Sequence, residues 1–207
     1  MKKYILLWIF FYTTFGFAQK KEIHRLTKKE ITQRGLNNLT DFPIYRALEC
    51  SDKGGVYELL FCENQKIISK KDTLNTKIQA IFVQNDHGGF LEKWRINDLL
   101  EDSNPKETTI YFWTKYCSTT DLDGDGLIDP VIVYGTRTEY NEIRRVKIIT
   151  ISHNKKYVIR AVECDLDYCR SFKKDSTWNL LPLKTRTYLN SLVERLRKEQ
   201  NLLLKDG

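Results

Sequence analysis

The sequence predicts an α+β fold that is mostly β. It reads as an antiparallel meander of about seven strands, a curled sheet or a partly closed barrel, with a short helix at the N-terminal end and an amphipathic helix at the C-terminal end. Three observations carry this reading. Seven short stretches between residues 56 and 162 are rich in β-branched and aromatic residues. Turn-forming clusters separate them. Only after Pro182 do apolar residues recur at a helical period.

Residues 1–18 read as an export signal. Lys2 and Lys3 form a positive start, residues 4–15 are apolar and uncharged, and Gly16-Phe17-Ala18 puts small residues at −3 and −1 of a cut after Ala18. The run is short for a membrane-spanning helix, which needs about 20 apolar residues. No cysteine stands at the cut to carry a lipid. The expected destination is the periplasm or the exterior, with residues 19–207 as a single β-rich domain. Thr27-Lys28-Lys29-Glu30 is a capping-box pattern and Gly35 a stop, so a short helix is expected between them.

Residues 37–43 read as loop, and the chain changes character from Ile44. The expected strands are 56–62, 77–84, 90–97, 108–116, 130–134, 145–152 and 157–162. Between them lie turns such as Asp52-Lys53-Gly54-Gly55, Asp102-Ser103-Asn104-Pro105 and His153-Asn154-Lys155-Lys156. Trp94 and Ile96 alternate with Lys93, Arg95 and Asn97, as on a half-buried strand. In the last segment Leu189, Leu192, Val193 and Leu196 share one helical face, and Arg186, Glu194, Arg195, Arg197 and Lys198 take the other. Such a helix packs on a sheet; a membrane surface or a partner is the alternative use of a basic face.

One stretch joins residue type and spacing into a chemistry: Asp121-Leu122-Asp123-Gly124-Asp125-Gly126-Leu127-Ile128-Asp129. Its carboxylates fall at loop positions 1, 3, 5 and 9, with glycines at 4 and 6. A hard cation such as Ca²⁺ takes roughly six to eight oxygens, and a tight loop that turns alternate side chains inward supplies them. Asp121, Asp123 and Asp125 would give side-chain oxygens, Leu127 its backbone carbonyl, and Asp129 a direct or water-mediated contact. One Ca²⁺ is the expected cofactor; an Asp/Gly-rich turn without metal is the plainer reading. Position 12 is Ile132 rather than a bidentate Glu, and both flanks read as strands. The loop therefore resembles the strand-loop-strand calcium loops of FG-GAP repeats in integrin-like propellers, and less closely those of dockerins and thrombospondin type 3 repeats. Those families repeat the motif; here it occurs once, which implies a metal loop and not a propeller. Without Glu at position 12, the expected affinity is the roughly 10⁻⁴–10⁻³ M of extracellular modules.

Composition sets broader bounds. Removing the leader takes away two lysines and no acid, so the formal charge falls from +7 to +5. That mild balance suits acidic glycans or an anionic envelope surface. Scattered basic residues without a nucleic-acid motif argue against DNA or RNA. The cysteines are Cys50, Cys62, Cys117, Cys164 and Cys169. Their odd number leaves at least one unpaired within the chain. Cys164 with Cys169 is the first expected disulfide and Cys50 with Cys62 the second, and no CxxC spacing suggests metal.

No catalytic motif appears. There is no GxSxG, HExxH, Walker A or GxGxxG. His24 lies near the mature N-terminus, and His87 and His153 lie in turns, where a surface role is expected; His87, beside two glycines, is the one worth testing. Cys117 as a nucleophile would need an adjacent base. Glu58, Glu63, Glu92 and Asp98 lie on or near strands and could supply a glycosidase pair. Tyr111, Trp113 and Tyr116 could form a sugar platform, although strand aromatics are more often core.

A wider resemblance covers most of the mature chain. It joins the Asp52-Lys53-Gly54-Gly55 turn, Leu91-Glu92-Lys93-Trp94, and the segment 120–136 from Thr120 to Thr136, where it is most specific. The chain is similar here to small exported bacterial proteins labelled with surface polysaccharide biosynthesis. That resemblance implies a role in making or displaying surface glycan, with glycan or an envelope protein as partner, and implies no reaction. Two functions follow as expectations: a non-catalytic, calcium-stabilised domain that binds glycan or an envelope protein, and a polysaccharide-active enzyme with a structural calcium.

Overall fold

The computed structural model describes residues 23–67 and 73–206. The expected leader and the expected cut after Ala18 lie outside the described residues. In chain order the elements begin with β1 (His24–Arg25), α1 (Lys28–Gln33), β2 (Ile44–Asp52), β3 (Gly55–Glu63), β4 (Lys66–Ile67) and β5 (Thr73–Leu74). There follow β6 (Lys77–Asp86), β7 (Gly89–Leu99), β8 (Glu107–Phe112), β9 (Ser118–Thr120) and β10 (Asp129–Thr138). The chain ends with β11 (Ile143–Ser152), β12 (Lys155–Val162), β13 (Ser171–Lys174) and α2 (Leu183–Gln200).

The strands form two antiparallel meanders. One sheet runs β1-β2-β3-β6-β7 and the other β13-β12-β11-β10-β8, with β9 also paired to β10 and β4-β5 a small separate ribbon. Neither closes into a barrel. The reason is legible along single strands. On β10, Ile132 and Tyr134 enter the core between the sheets, while Val131 and Val133 enter a second core beneath α2. On β3, Leu59 and Phe61 face the other sheet, while Leu60 and Cys62 face Leu26, Ile31 and Leu36 around α1. Strands apolar on both faces must be covered on both faces, so the layers stack helix, sheet, sheet, helix.

Local signals at the helices hold. Thr27 Oγ1 accepts from the Glu30 amide at 3.2 Å and Glu30 Oε2 accepts from the Thr27 amide at 2.7 Å. Gly35 adopts φ +73°, the left-handed conformation that ends α1. Thr27→Ala is expected to cost roughly 0.5–2 kcal/mol, measured by urea unfolding. The Thr27 amide and hydroxyl, with His24, hold the Glu30 carboxyl at about 2, below its ordinary 4.5. A lowered carboxyl stabilises the fold above its unfolded value, so this contribution fades as pH falls from about 4.5 towards about 2. On α2, Leu189, Leu192, Val193 and Leu196 are buried against the second sheet. The apolar face is thereby used within the fold.

Three expectations change. The strand expected over 108–116 stops at Phe112, because Trp113 to Tyr116 turns, the Tyr116 amide donating to the Trp113 carbonyl at 2.8 Å. The short β9 takes its place before the acidic loop. Ile44–Asp52 is a full strand, β2, whose half-buried, mixed residues disguise the alternation. Cys164 and Cys169 are disulfide-bonded, but Cys50 and Cys62 are both free thiols. Cys50 pairs in register with Tyr57 and enters the inter-sheet core; Cys62 pairs with Ile44 and enters the core under α1. Opposite faces of one sheet cannot share a disulfide.

Candidate metal centre

Four chain segments meet at one end of the two sheets. The acidic loop joins β9 to β10, anchored by pairing of Thr120 with Asp129. Beside it stand the β2–β3 turn, the β11–β12 turn and the start of α2. Asp121 organises the loop: its Oδ1 accepts from the Gly124 amide at 2.7 Å and its Oδ2 from the Gly126 amide at 2.8 Å. Asp123 Oδ1 accepts from the Asp125 amide at 2.9 Å, and Asp125 Oδ1 from the Leu127 amide at 2.7 Å. Asp129 Oδ2 accepts from the Leu122 amide at 3.0 Å. Gly124 and Gly126 adopt φ +90° and +89°, which L side chains rarely take.

Within this frame carboxylate oxygens of Asp121, Asp123 and Asp129 lie within 4.8 Å of one another. A second group, Asp123, Asp125 and His153, meets the same limit and shares Asp123. The all-oxygen group fits a hard cation such as Ca²⁺, whereas imidazole suits softer divalent metals. Asp129 is buried, and burial, followed by the nearby charges of Asp123 and Asp125, pushes its carboxyl above the ordinary value. A cation there would favour the ionised form and offset that repulsion.

The loop is also held from outside. Asp52 receives the Ile128 amide on Oδ2 at 2.8 Å and the Gly54 amide on Oδ1 at 2.6 Å. Lys53 Nζ donates to the Asp125 carbonyl, and Lys184 Nζ to the Asp123 carbonyl at 3.0 Å. His153 Nε2 lies 3.2 Å from Asp125 Oδ2 and 3.7 Å from Asp123 Oδ2. The structure thus places Asp121, Asp123 and Asp129 together, swings Asp125 towards His153, and leaves the Leu127 side chain exposed. Asp52, His153, Lys53 and Lys184 were not readable as site residues. Asp52 showed only as a turn former and His153 as a surface turn histidine. His87 is 97% exposed in its side chain, beside Asp86.

The other candidates are engaged elsewhere. Glu58 is buried with Arg34 Nη1 at 3.1 Å, and Glu63 accepts from the Phe112 amide at 3.2 Å and from Asn75 at 2.9 Å. Burial raises both carboxyls above their usual range. Glu92 pairs with Arg95 at 2.6 Å and Asp98 with Lys147 at 2.6 Å. Burial pushes the Cys117 thiol up to about 12, which favours its protonated form at neutral pH. Trp113 and Tyr116 are core residues under α2, with Tyr111 packed at their edge, so they form no sugar platform. The chain matches no protein-family model, no curated protein and no solved structure.

Proposed function

We propose that the chain is an exported, non-catalytic β domain that binds one Ca²⁺ in the loop 121–129 and engages surface glycan or an envelope protein. The observation that carries the metal reading is the convergence of carboxylate oxygens of Asp121, Asp123 and Asp129 within 4.8 Å. The ion would act by linkage: it binds the folded loop and not the unfolded chain, and so stabilises the fold. Because the loop is hydrogen-bonded to the β2–β3 turn and to α2, an ion there would brace both sheets and the C-terminal helix.

Export is supported by the leader pattern at residues 1–18 and by the Cys164–Cys169 disulfide, which belongs to an oxidising compartment. Among the described residues no helix is long and apolar enough to cross a membrane. The glycan or envelope partner rests on the resemblance over 120–136 and on the mild positive charge. The test is thermal unfolding of the protein from Gln19 onward, in EDTA and then with millimolar Ca²⁺ or Mg²⁺. A rise with Ca²⁺ and a smaller one with Mg²⁺ is expected, since Mg²⁺ demands a tighter octahedral cage. No shift with either ion reduces the loop to a turn.

A further inference from the structure

A groove of about 370 Å³ opens where the edge strand β7 faces the β11–β12 hairpin. That lies towards the lower end of the roughly 300–1,000 Å³ typical of small-ligand sites. Its floor is Trp94, the outer member of three stacked rings: Tyr57 on Phe82 at 4.9 Å, then Phe82 on Trp94 at 5.2 Å and 13°. The stack fixes the indole plane from behind. Leu91 and Ile151 also line it, and the exposed Lys93, Lys156 and Asn154 make its solvent-facing rim. Arg95 and Glu92 also line the groove but pair with each other at 2.6 Å. The lysines therefore leave the rim net positive.

The strand geometry explains the placement of Lys93. Phe82 pairs with Trp94 and Val83 with Glu92, so Lys93 is the extra residue of a β-bulge. Bulges re-aim side chains at strand edges, and here Lys93 lines the same groove as Trp94. A rigid aromatic floor, two cations and an amide together match one ligand chemistry. The flat C–H face of a sugar ring stacks on an indole, a carboxylate on the ring meets the ammonium groups, and hydroxyls meet the amide.

We propose that this groove binds a carboxylated saccharide, with its ring on Trp94 and its carboxylate between Lys93 and Lys156. This deepens the glycan half of the function proposed above and rests on that half, not on the metal. The two sites nevertheless share one turn: His153, beside Asp123 and Asp125, is followed directly by Asn154, and both adopt positive φ.

The test is calorimetric titration of the protein from Gln19 onward with a galacturonic acid trisaccharide, and with maltotriose as the neutral control. Saturable binding of the acidic trimer is expected, with maltotriose at least about tenfold weaker. Trp94→Ala should weaken it by about tenfold. Because that change could disturb the ring stack, Lys93→Gln and Lys156→Gln on the rim serve as independent variants, each expected to cost about two- to fivefold. Equal affinity for both sugars, or wild-type affinity in the rim variants, overturns the proposal. Titrations in EDTA and in Ca²⁺ separate the two readings. Binding in both media supports the groove, whereas binding in Ca²⁺ alone puts the sugar carboxylate on the metal loop and overturns it. Binding in neither overturns it, whatever melting shift the loop shows.

Discussion

Asp123→Ala is expected to abolish the calcium-dependent rise in melting temperature. Asp123 is the one carboxylate shared by both groups of converging ligands, so its loss leaves neither complete. With an affinity of roughly 10⁻⁴–10⁻³ M, about 10 mM Ca²⁺ stabilises the wild type by about 1.4–2.7 kcal/mol. For a chain of this size that is a rise of roughly 3–10 °C. In EDTA the variant should melt close to the wild type, because the lost Asp125 amide contact is offset by relief of repulsion with Asp121, Asp125 and Asp129. His153→Gln separates the two ligand groups: if the ion uses the all-oxygen group, the calcium shift survives that change. A wild-type calcium shift in Asp123→Ala would sink the assignment.

Arg145→Ala is expected to destabilise the fold by about 3–5 kcal/mol, or roughly 6–20 °C, because it strands a buried carboxylate. Arg145, on β11, grips Glu107 of β8 with two bonds, Nε to Oε1 at 2.6 Å and Nη2 to Oε2 at 2.8 Å. The Glu107 side chain is fully buried and also accepts from Thr136 at 2.7 Å and from the Glu101 amide at 2.8 Å. Arg145 further reaches the Leu99 carbonyl and Glu101, both at or beyond the end of β7. This cluster therefore clamps the crossover from the first sheet to the second.

The pH dependence follows. Burial opposes ionisation of Glu107, but Arg145, the Glu101 amide and Thr136 outweigh it and hold the carboxyl below its ordinary value. The wild type should lose this stabilisation as pH falls from the unfolded value through the lowered folded one. In Arg145→Ala burial remains and the cation is gone, so the deficit should shrink on acidification. Urea unfolding at neutral and acid pH reads both effects. A neutral-pH loss below about 1 kcal/mol would place the pair among weak surface bridges.

Much of this molecule was legible locally. The helix α1 needed only Thr27, Glu30 and Gly35, because caps and left-handed stops act within one turn. Strands such as β3 and β10 announced themselves by composition, and the acidic loop by the spacing of Asp121, Asp123, Asp125 and Asp129. Even the Cys164–Cys169 bridge is a short-range feature. The unbroken apolar runs on β3 and β10 also carried the signal for two covered faces, which separates stacked sheets from a barrel; the short-strand pattern masked it.

What only the tertiary structure decided is which turns stand side by side. Asp52 meets the loop across 76 residues, and His153 reaches Asp125 from another hairpin. The Trp94 groove exists because β7 faces the β11–β12 hairpin of the other sheet. Cys50 and Cys62 parted because alternation along adjacent strands sent them to opposite faces. The sequence by itself determined the caps, most strands and the carboxylate loop, since each depends on residues a few positions apart. The neighbours of that loop, and the groove, depend on how two sheets register across a shared core. That register is set by many weak apolar contacts summed over the whole interface, and no short stretch of the chain encodes it.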